Sequence, residues 1–233
     1  WIGMDRIGRP VKSESRANNS DDALCLPPPR YLRKTFMLRK PIRRATAYAS
    51  ALGLFEMHIN GRRVGMDYFT PGWTDYQTRV YYNTYDVTDM LTEGGNAMGA
   101  ILADGWYAGY VGFKNIREHD GDKPRFRVQL RVEYKDGTYR TIVTDRSWKA
   151  STGPLLEADL LMGETHDARR EMPGWNAPGF DDSNWSRVNL TSSIKATTGA
   201  YPGARVQEFR RIRPVSVTEP KQGRFVFDLG TNF

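Results

Sequence analysis

Two carboxylates, Glu164 and Asp167, lie three positions apart in the sequence, with His166 and Arg169 beside them. Such a pair suggests hydrolysis of a glycosidic bond with inversion. One carboxyl group then protonates the leaving oxygen, and the other activates water from about 6.5–9.5 Å away. The same residues also suit a structural role, in which Arg169 pairs with one carboxylate and fixes an irregular loop. We favour the structural role and predict no catalytic residue in this chain.

Two other segments combine carboxylates with large aromatic side chains, as sugar-binding sites do. A flat ring stacks on the C–H groups of a sugar, and nearby polar groups accept its hydroxyl protons within a largely apolar site. The alternative is packing, in which Trp106 closes one end of the fold, Asp104 caps a turn and Asp75 holds backbone amides at a corner. The sequence leaves both interpretations open. The candidate sugar-binding residues are Trp73, Asp75, Tyr76, Asp104, Trp106 and Tyr107.

Few residues in the chain suit a metal ion. The three histidines lie far apart, and the single cysteine, Cys25, excludes an intrachain disulfide and a cysteine-rich zinc cluster. Asp181 and Asp182 are adjacent, but calcium takes about 6–8 oxygen ligands and this segment lacks their spacing. The sequence therefore predicts no metal site, with calcium retained only as an alternative cofactor.

Charge and hydropathy argue against two classes of partner. The net charge of the 233-residue chain is +7, but most basic residues alternate with apolar ones instead of clustering, so we predict no nucleic-acid binding. No run of about 18 apolar residues exists, and we predict no membrane span. The chain opens on Trp1 without a leader sequence, so we expect it to begin inside a longer protein, and its compartment cannot be predicted.

The elements that position these side chains are predicted to be β-strands. Residues 125–134 alternate strictly between apolar and polar side chains, which marks a strand with one buried face. Asp136-Gly137 and Asn60-Gly61 predict two tight hairpins, the second returning through residues 62–68. One helical turn is predicted at residues 87–91. Further strands are predicted over residues 31–38, 45–50, 80–85, 97–102, 206–212 and 224–229.

This pattern predicts an all-β fold, a jelly-roll-like antiparallel β-sandwich with an irregular carboxy-terminal extension. Residues 1–30 are expected to form a polar leader that ends in three prolines. The sandwich is predicted to span residues 31–200, although residues 151–200 show little alternation. Residues 201–233 are predicted to be strands that open a further β-domain, cut short at the end of the chain.

Several segments, taken in order, resemble the amino-terminal region of bacterial α-L-rhamnosidases. An Asn-Gly hairpin followed by Asp-Val-Thr also occurs in sandwich domains of β-galactosidase-like enzymes, so it indicates only a jelly-roll domain of a glycosidase. The ordered series PGWTDY, DGWYAG and GETHDAR is more specific to the rhamnosidases. The matching segments are residues 51–65, 71–76, 85–96, 104–109, 163–169 and 227–232.

The resemblance implies a parent enzyme that removes terminal α-L-rhamnose from glycans or glycosides with inversion, in an α/α-barrel catalytic domain beyond this region. This chain would then be a non-catalytic accessory sandwich that contacts the barrel. Glu164, Asp167 and Arg169 are the candidates for supporting the barrel's active site. Related sandwich domains include a rhamnose-binding module that uses calcium, so binding of rhamnose or a related sugar is the alternative function.

Overall fold

A computed structural model describes residues 1–5, 26–112 and 116–231 of the chain. Almost all regular structure in these ranges is β-strand, which confirms the predicted fold class. The first strands are β1 Ile2–Gly3, β2 Arg30–Leu38, β3 Ile42–Leu52, β4 Leu54–Ile59, β5 Arg62–Arg63, β6 Asp67–Tyr68, β7 Arg79–Asp86, β8 Gly94–Ala103, β9 Tyr110–Val111, β10 Ile116–Arg117, β11 Arg125–Tyr134 and β12 Tyr139–Val143. The remaining strands are β13 Lys149–Ser151, β14 Leu155–Asp159, β15 Gly163–His166, β16 Ser186–Arg187, β17 Asn189–Leu190, β18 Thr197–Ala200, β19 Val206–Gln207, β20 Ser216–Lys221 and β21 Arg224–Asp228.

Two large sheets form the sandwich. The seven-stranded sheet has the order β17-β1-β11-β3-β7-β18, with β12 paired to β11, and the six-stranded sheet has the order β16-β13-β2-β8-β4-β5. Strand pairs are antiparallel except for β18, which runs parallel to β7. Four smaller two-stranded sheets pair β9 with β10, β14 with β15, β6 with β19 and β20 with β21.

One apolar core lies between the two sheets. Phe55 of β4 and Phe126 of β11 contact each other across it, with ring centroids 5.5 Å apart. Phe126, Val128, Leu130 and Val132 are all buried, whereas the intervening polar side chains of β11 are largely exposed. This confirms the two-residue alternation predicted for the strand.

Both predicted hairpin turns are present. Gly137 has φ 82°, and Asn60 and Gly61 have φ 49° and 82°, the left-handed values that tight hairpin turns require. A 3-10 helix, Thr88–Met90, forms the predicted helical turn, and Asp86 accepts a hydrogen bond from the Thr88 amide at its start. No helix within the described ranges is long and apolar enough to cross a membrane.

Four segments differ from the sequence prediction. The return strand over residues 62–68 is divided into β5 and β6 at Gly65, which has φ 73°. The strand predicted over residues 206–212 is only β19, because residues 208–212 pair with no described strand. Helix α1, Gly105–Ala108, was not predicted. In the expected leader, β1 pairs with β11 and Ile2 is fully buried, whereas residues 6–25, including Cys25, lie outside the described ranges.

The irregular segment 172–185 packs over the outer face of the six-stranded sheet. Trp175 lies against Gly99 of β8, where a Cβ atom would approach the indole to 2.5 Å, so this contact requires glycine. Trp185 stacks on Trp175 with ring centroids 6.4 Å apart. Asp182 forms ion pairs with Arg33 of β2 and Lys149 of β13, which accounts for its position without a bound ion.

Candidate functional site: an aromatic groove

An open groove of about 370 Å³ lies at one end of the sandwich, between the loop 67–73, β7, helix α1 and the segment 201–206. Three exposed or half-buried rings form one wall, which we name the aromatic shelf: Phe69, Trp73 and Trp106. Trp73 and Trp106 are stacked with centroids 5.9 Å apart and planes only 4° from parallel. Phe69 lies 6.1 Å from Trp106. The shelf therefore presents flat apolar surface to solvent, with Trp73 58% exposed.

Local backbone geometry accounts for the shelf. Phe69 has φ 57° and Gly72 has φ 106°, so the loop turns sharply on either side of the Thr70-Pro71 peptide. A Cβ atom on Gly72 would lie 2.6 Å from the ring of Tyr201, so only glycine permits this contact. Trp106 is carried by helix α1, directly after the end of β8.

The floor of the groove is polar, and two of its three residues are buried. Asn83 of β7 is 5% exposed, and its Oδ1 atom accepts no hydrogen bond from any residue that the structure describes. Asp67 is equally buried, accepts a hydrogen bond from Gln207 Nε2 at 2.8 Å and lies 3.3 Å from Arg205 Nη1. An unpaired buried amide oxygen is costly, and a ligand hydroxyl donating to it would remove that cost. Asn83, Asp67 and Arg205 form what we name the polar floor.

Of the six predicted sugar-binding residues, the structure brings Trp73 and Trp106 into this groove. Asp104 is elsewhere: its side chain is 3% exposed and forms ion pairs with Arg30, at 2.7 Å, and with Arg117. It makes no capping hydrogen bond through its side chain, contrary to the packing alternative considered from the sequence. Its carboxylate stabilises buried guanidinium groups.

Tyr76, Tyr107 and Asp75 also lie outside the groove. Tyr76 is buried edge-on against the half-buried Tyr107, with centroids 5.3 Å apart, and this burial raises the pKa of Tyr76. Asp75 accepts hydrogen bonds from the Gln77 amide and the Thr78 hydroxyl. These bonds, chiefly that from Thr78, lower the pKa of Asp75. Asp75 thus holds a corner of the backbone, as the packing alternative predicts.

Glu164, Asp167 and Arg169 lie around the hairpin β14–β15. Both carboxylate oxygens of Asp167 accept hydrogen bonds from the Arg169 guanidinium, at 2.8 and 2.9 Å. This interaction is the main reason that the pKa of Asp167 falls to about 2. Glu164 is exposed on β15, opposite Ala158 of β14. The predicted pairing of Arg169 with one of the two carboxylates is confirmed.

The described ranges contain no group of three or more histidine, cysteine, aspartate or glutamate side chains arranged to hold a metal ion. Asp120 and Asp75 are close enough to interact, since burial and then the charge of Asp75 raise the pKa of Asp120. Two carboxylates supply only part of the about 6–8 oxygen ligands of calcium.

No motif in the sequence indicated the polar floor. Asn83 of β7 lies opposite Ala49 of β3, and Tyr85 of β7 lies opposite Ala47. Asn83 and Tyr85 are two residues apart in the strand, so Asn83 is on the same inward face as this tyrosine. A polar residue on the inward face of a strand is a signal that a sequence can supply. Asp67 and Arg205 carry no such signal, because the pairing of β19 with β6 brings them together from positions far apart in the chain.

The antiparallel sandwich with an aromatic groove at one end places the chain in the broad class of jelly-roll-like β-domains. A model of the α-L-rhamnosidase N-terminal domain matches residues 40–209. The chain belongs to this family.

Individual relatives agree with this assignment. The chain is 48% identical over 203 residues to an α-L-rhamnosidase of Streptomyces avermitilis, covering 86% of this chain and 20% of that protein. An α-L-rhamnosidase of Alteromonas sp. is 36% identical over 237 residues, covering all of this chain and 25% of that protein. The chain therefore spans a fifth to a quarter of these relatives.

Solved structures show the same domain. The S. avermitilis α-L-rhamnosidase, in complex with L-rhamnose, superposes with a TM-score of 0.85 at 46% identity, over 90% of this chain and 20% of that one. The Aspergillus terreus α-L-rhamnosidase superposes with a TM-score of 0.87 at 34% identity, over 99% of this chain and 25% of that one.

Proposed function

We propose that this chain is the non-catalytic accessory β-sandwich of an α-L-rhamnosidase. The parent enzyme would hydrolyse terminal α-L-rhamnose with inversion, in an α/α barrel of the same polypeptide. The observation that carries the proposal is the extent of the match: the N-terminal domain model covers residues 40–209, and the chain spans only a fifth to a quarter of its relatives. Within this domain the Asp167 carboxylate is bound by the Arg169 guanidinium, as suits a structural residue.

Exposed surface supports contact with further domains of the parent. The hairpin β20–β21 carries exposed apolar side chains, with Val217 52%, Phe225 58%, Val226 53% and Phe227 60% exposed. An isolated two-stranded hairpin is marginally stable in water. We propose that it opens the next β-domain, as the sequence predicts for residues 201–233. Hairpin β14–β15, with Glu164 and the exposed Leu161, would extend toward the barrel.

The purified chain is expected to release no nitrophenol from an aryl α-L-rhamnoside, because we propose that the acid and the base lie in the barrel of the parent enzyme. The measurement is a long incubation at high protein concentration, compared with a Glu164→Gln variant prepared in parallel. Turnover that disappears in the variant would contradict the proposal. A trace of activity that is equal in both preparations would be attributed to contamination.

The groove supports sugar binding as a second candidate function. The aromatic shelf offers the flat surface on which the C–H face of a sugar stacks, and the polar floor offers Asn83 Oδ1 to a hydroxyl group. Both lie in one groove of a size that suits a small ligand. This function would let the domain hold substrate near the barrel.

In calorimetric titration of the chain with L-rhamnose, with and without calcium, Trp106→Ala is expected to weaken binding by about tenfold or more. Asn83→Ala should weaken it as well, because the buried acceptor is lost. The matched control is Tyr139→Ala, which removes an aromatic ring that is 61% exposed and does not line the groove. Equal weakening in the control, or no saturable heat up to tens of millimolar sugar, would eliminate sugar binding in this groove.

A further inference from the structure

One side of the aromatic groove is built by a short exposed segment. Residues 202–207, which we name the strap, run from the end of the edge strand β18 to the end of β19, and all of them are exposed. Arg205 and Val206 of the strap line the groove. Beyond the strap, residues 208–214 belong to no strand and lead into hairpin β20–β21. The strap is therefore the last part of the chain that contacts the groove before this hairpin.

The upstream end of the strap is anchored to the seven-stranded sheet. β18 pairs with β7, and the amide of Tyr201 continues this pairing by donating to the carbonyl of Tyr82 at 3.0 Å. The Tyr201 ring also packs on Gly72. Residues 202–204 follow, and they are exposed and outside any strand. They are therefore the place at which the strap can pivot.

The downstream end of the strap is held through one buried carboxylate. Asp67 Oδ1 accepts a hydrogen bond from Gln207 Nε2 at 2.8 Å, and Asp67 Oδ2 lies 3.3 Å from Arg205 Nη1. Arg205 also donates to the carbonyl of Thr84 at 2.9 Å and lies over the Tyr85 ring. Strand β19 pairs with β6 at two positions. Because the Arg205 side chain is 45% exposed, solvent screens its ion pair with Asp67, and local opening at this end costs little.

Opening of the strap would change the groove, because Arg205 is the part of the polar floor that the strap carries. Asn83 lies on β7 and Asp67 on β6, so both stay with the sandwich when the strap moves. The closed strap keeps the Arg205 guanidinium beside the Asp67 carboxylate and places Val206 at the edge of the groove. The open strap would leave the groove without this side and without this charge.

We propose that the strap is a conformational device that opens separately from the sandwich, with Asp67 as its latch, and that its opening removes one side of the aromatic groove. Because the strap continues into residues 208–214 and hairpin β20–β21, movement of the following part of the parent polypeptide would displace it. The effect on ligand binding rests on the proposed sugar-binding function, whereas the opening itself does not. A protein that is competent for only a fraction of the time binds its ligand more weakly in proportion.

Amide hydrogen exchange of the full chain, measured without sugar, tests the opening. We expect the amides of β19 to exchange about tenfold or more faster than those of β18. Arg205→Ala should accelerate exchange in β19 by about another factor of ten and leave β18 unchanged. The control, Arg211→Ala, breaks the ion pair with Glu208 beyond the strap and should change neither strand. Equal exchange in the two strands, or equal acceleration of both by Arg205→Ala, would overturn the proposal.

A disulfide across the latch tests the coupling to the groove. Val206 and Tyr68 lie opposite each other in β19 and β6, and such partners are about 4.5–5.5 Å apart between Cα atoms, which a disulfide can bridge. In a Cys25→Ser background, Tyr68→Cys/Val206→Cys locks the strap when oxidised and releases it when reduced, so each preparation is its own control. We expect the oxidised form to bind L-rhamnose about tenfold or more tightly than the reduced form.

The outcomes separate the strap from the sugar-binding function. Equal affinities of the oxidised and reduced forms would overturn the coupling of the strap to the groove. Absence of binding to the unmodified chain would instead count against the sugar-binding function, and hydrogen exchange in the oxidised and reduced forms would still decide whether the strap opens. Exchange in β19 that the disulfide does not slow would overturn the opening.

Discussion

Replacing Asp104 by alanine is expected to lower the free energy of unfolding by about 3–5 kcal/mol, because it leaves a charged group buried without its partner. The Arg30 side chain is 4% exposed, and its Nη1 atom donates to Asp104 at 2.7 Å. Its Nε atom already lacks a partner among the described residues, so no second acceptor is available nearby. Asp104→Asn keeps an acceptor oxygen and should therefore lower the free energy of unfolding by less.

The same substitution is expected to weaken sugar binding, although Asp104 does not line the groove. Arg117 connects Asp104 to the carbonyl of Ala108 at the end of helix α1, and this helix carries Trp106. Losing the connection would allow Trp106 to leave its stack with Trp73.

Urea unfolding followed by fluorescence measures the stability of the Asp104→Ala variant, with Asp75→Ala as an exposed control that should change the stability far less. A loss no larger than that of the control would contradict the proposed role of the ion pair.

The strands were predictable wherever one face of a strand is buried and the other is exposed to solvent. From residue 126 to residue 134 of β11 the alternation of apolar and polar side chains follows the alternation of burial, so the pattern identified both the strand and its inward face. Turn residues such as Asp136-Gly137 fixed the hairpins, because few residues other than glycine and asparagine accept positive φ. The short strand β1 was missed because two residues are too few to show a period, and β19 was predicted to be longer than it is.

The site was only half predictable, for a physical reason. Large aromatic residues beside Gly and Pro indicated Trp73 and Trp106, but a sequence does not distinguish an exposed ring from a buried one such as Tyr76. Charged residues cause the opposite error, because a carboxylate expected to contact a ligand can be buried in an ion pair. Asp104 suggested a ligand for sugar hydroxyls, yet its partners Arg30 and Arg117 are distant in sequence and are brought to it only by the fold.

Arg33 is a second buried charge, and no local sequence pattern indicates its burial. Arg33→Met is expected to lower the free energy of unfolding by about 3–5 kcal/mol. Its side chain is 1% exposed and donates to the carbonyls of Trp175, at 2.8 Å, and Ala177, at 3.1 Å, as well as pairing with Asp182. Methionine fills similar volume but leaves these acceptors unsatisfied beneath the irregular segment 172–185.

Lys149→Met provides the matched comparison, because Lys149 pairs with the same Asp182 but is 35% exposed. Solvent screens that pair, so the expected loss is about 1 kcal/mol or less. Hydrogen exchange should locate the difference: in Arg33→Met the amides of residues 172–185 lose protection before those of β11, whereas in Lys149→Met they do not. Equal losses of stability in the two variants would show that the segment is held mainly by the stacking of Trp175 and Trp185 on the sheet, and that the buried arginine contributes little.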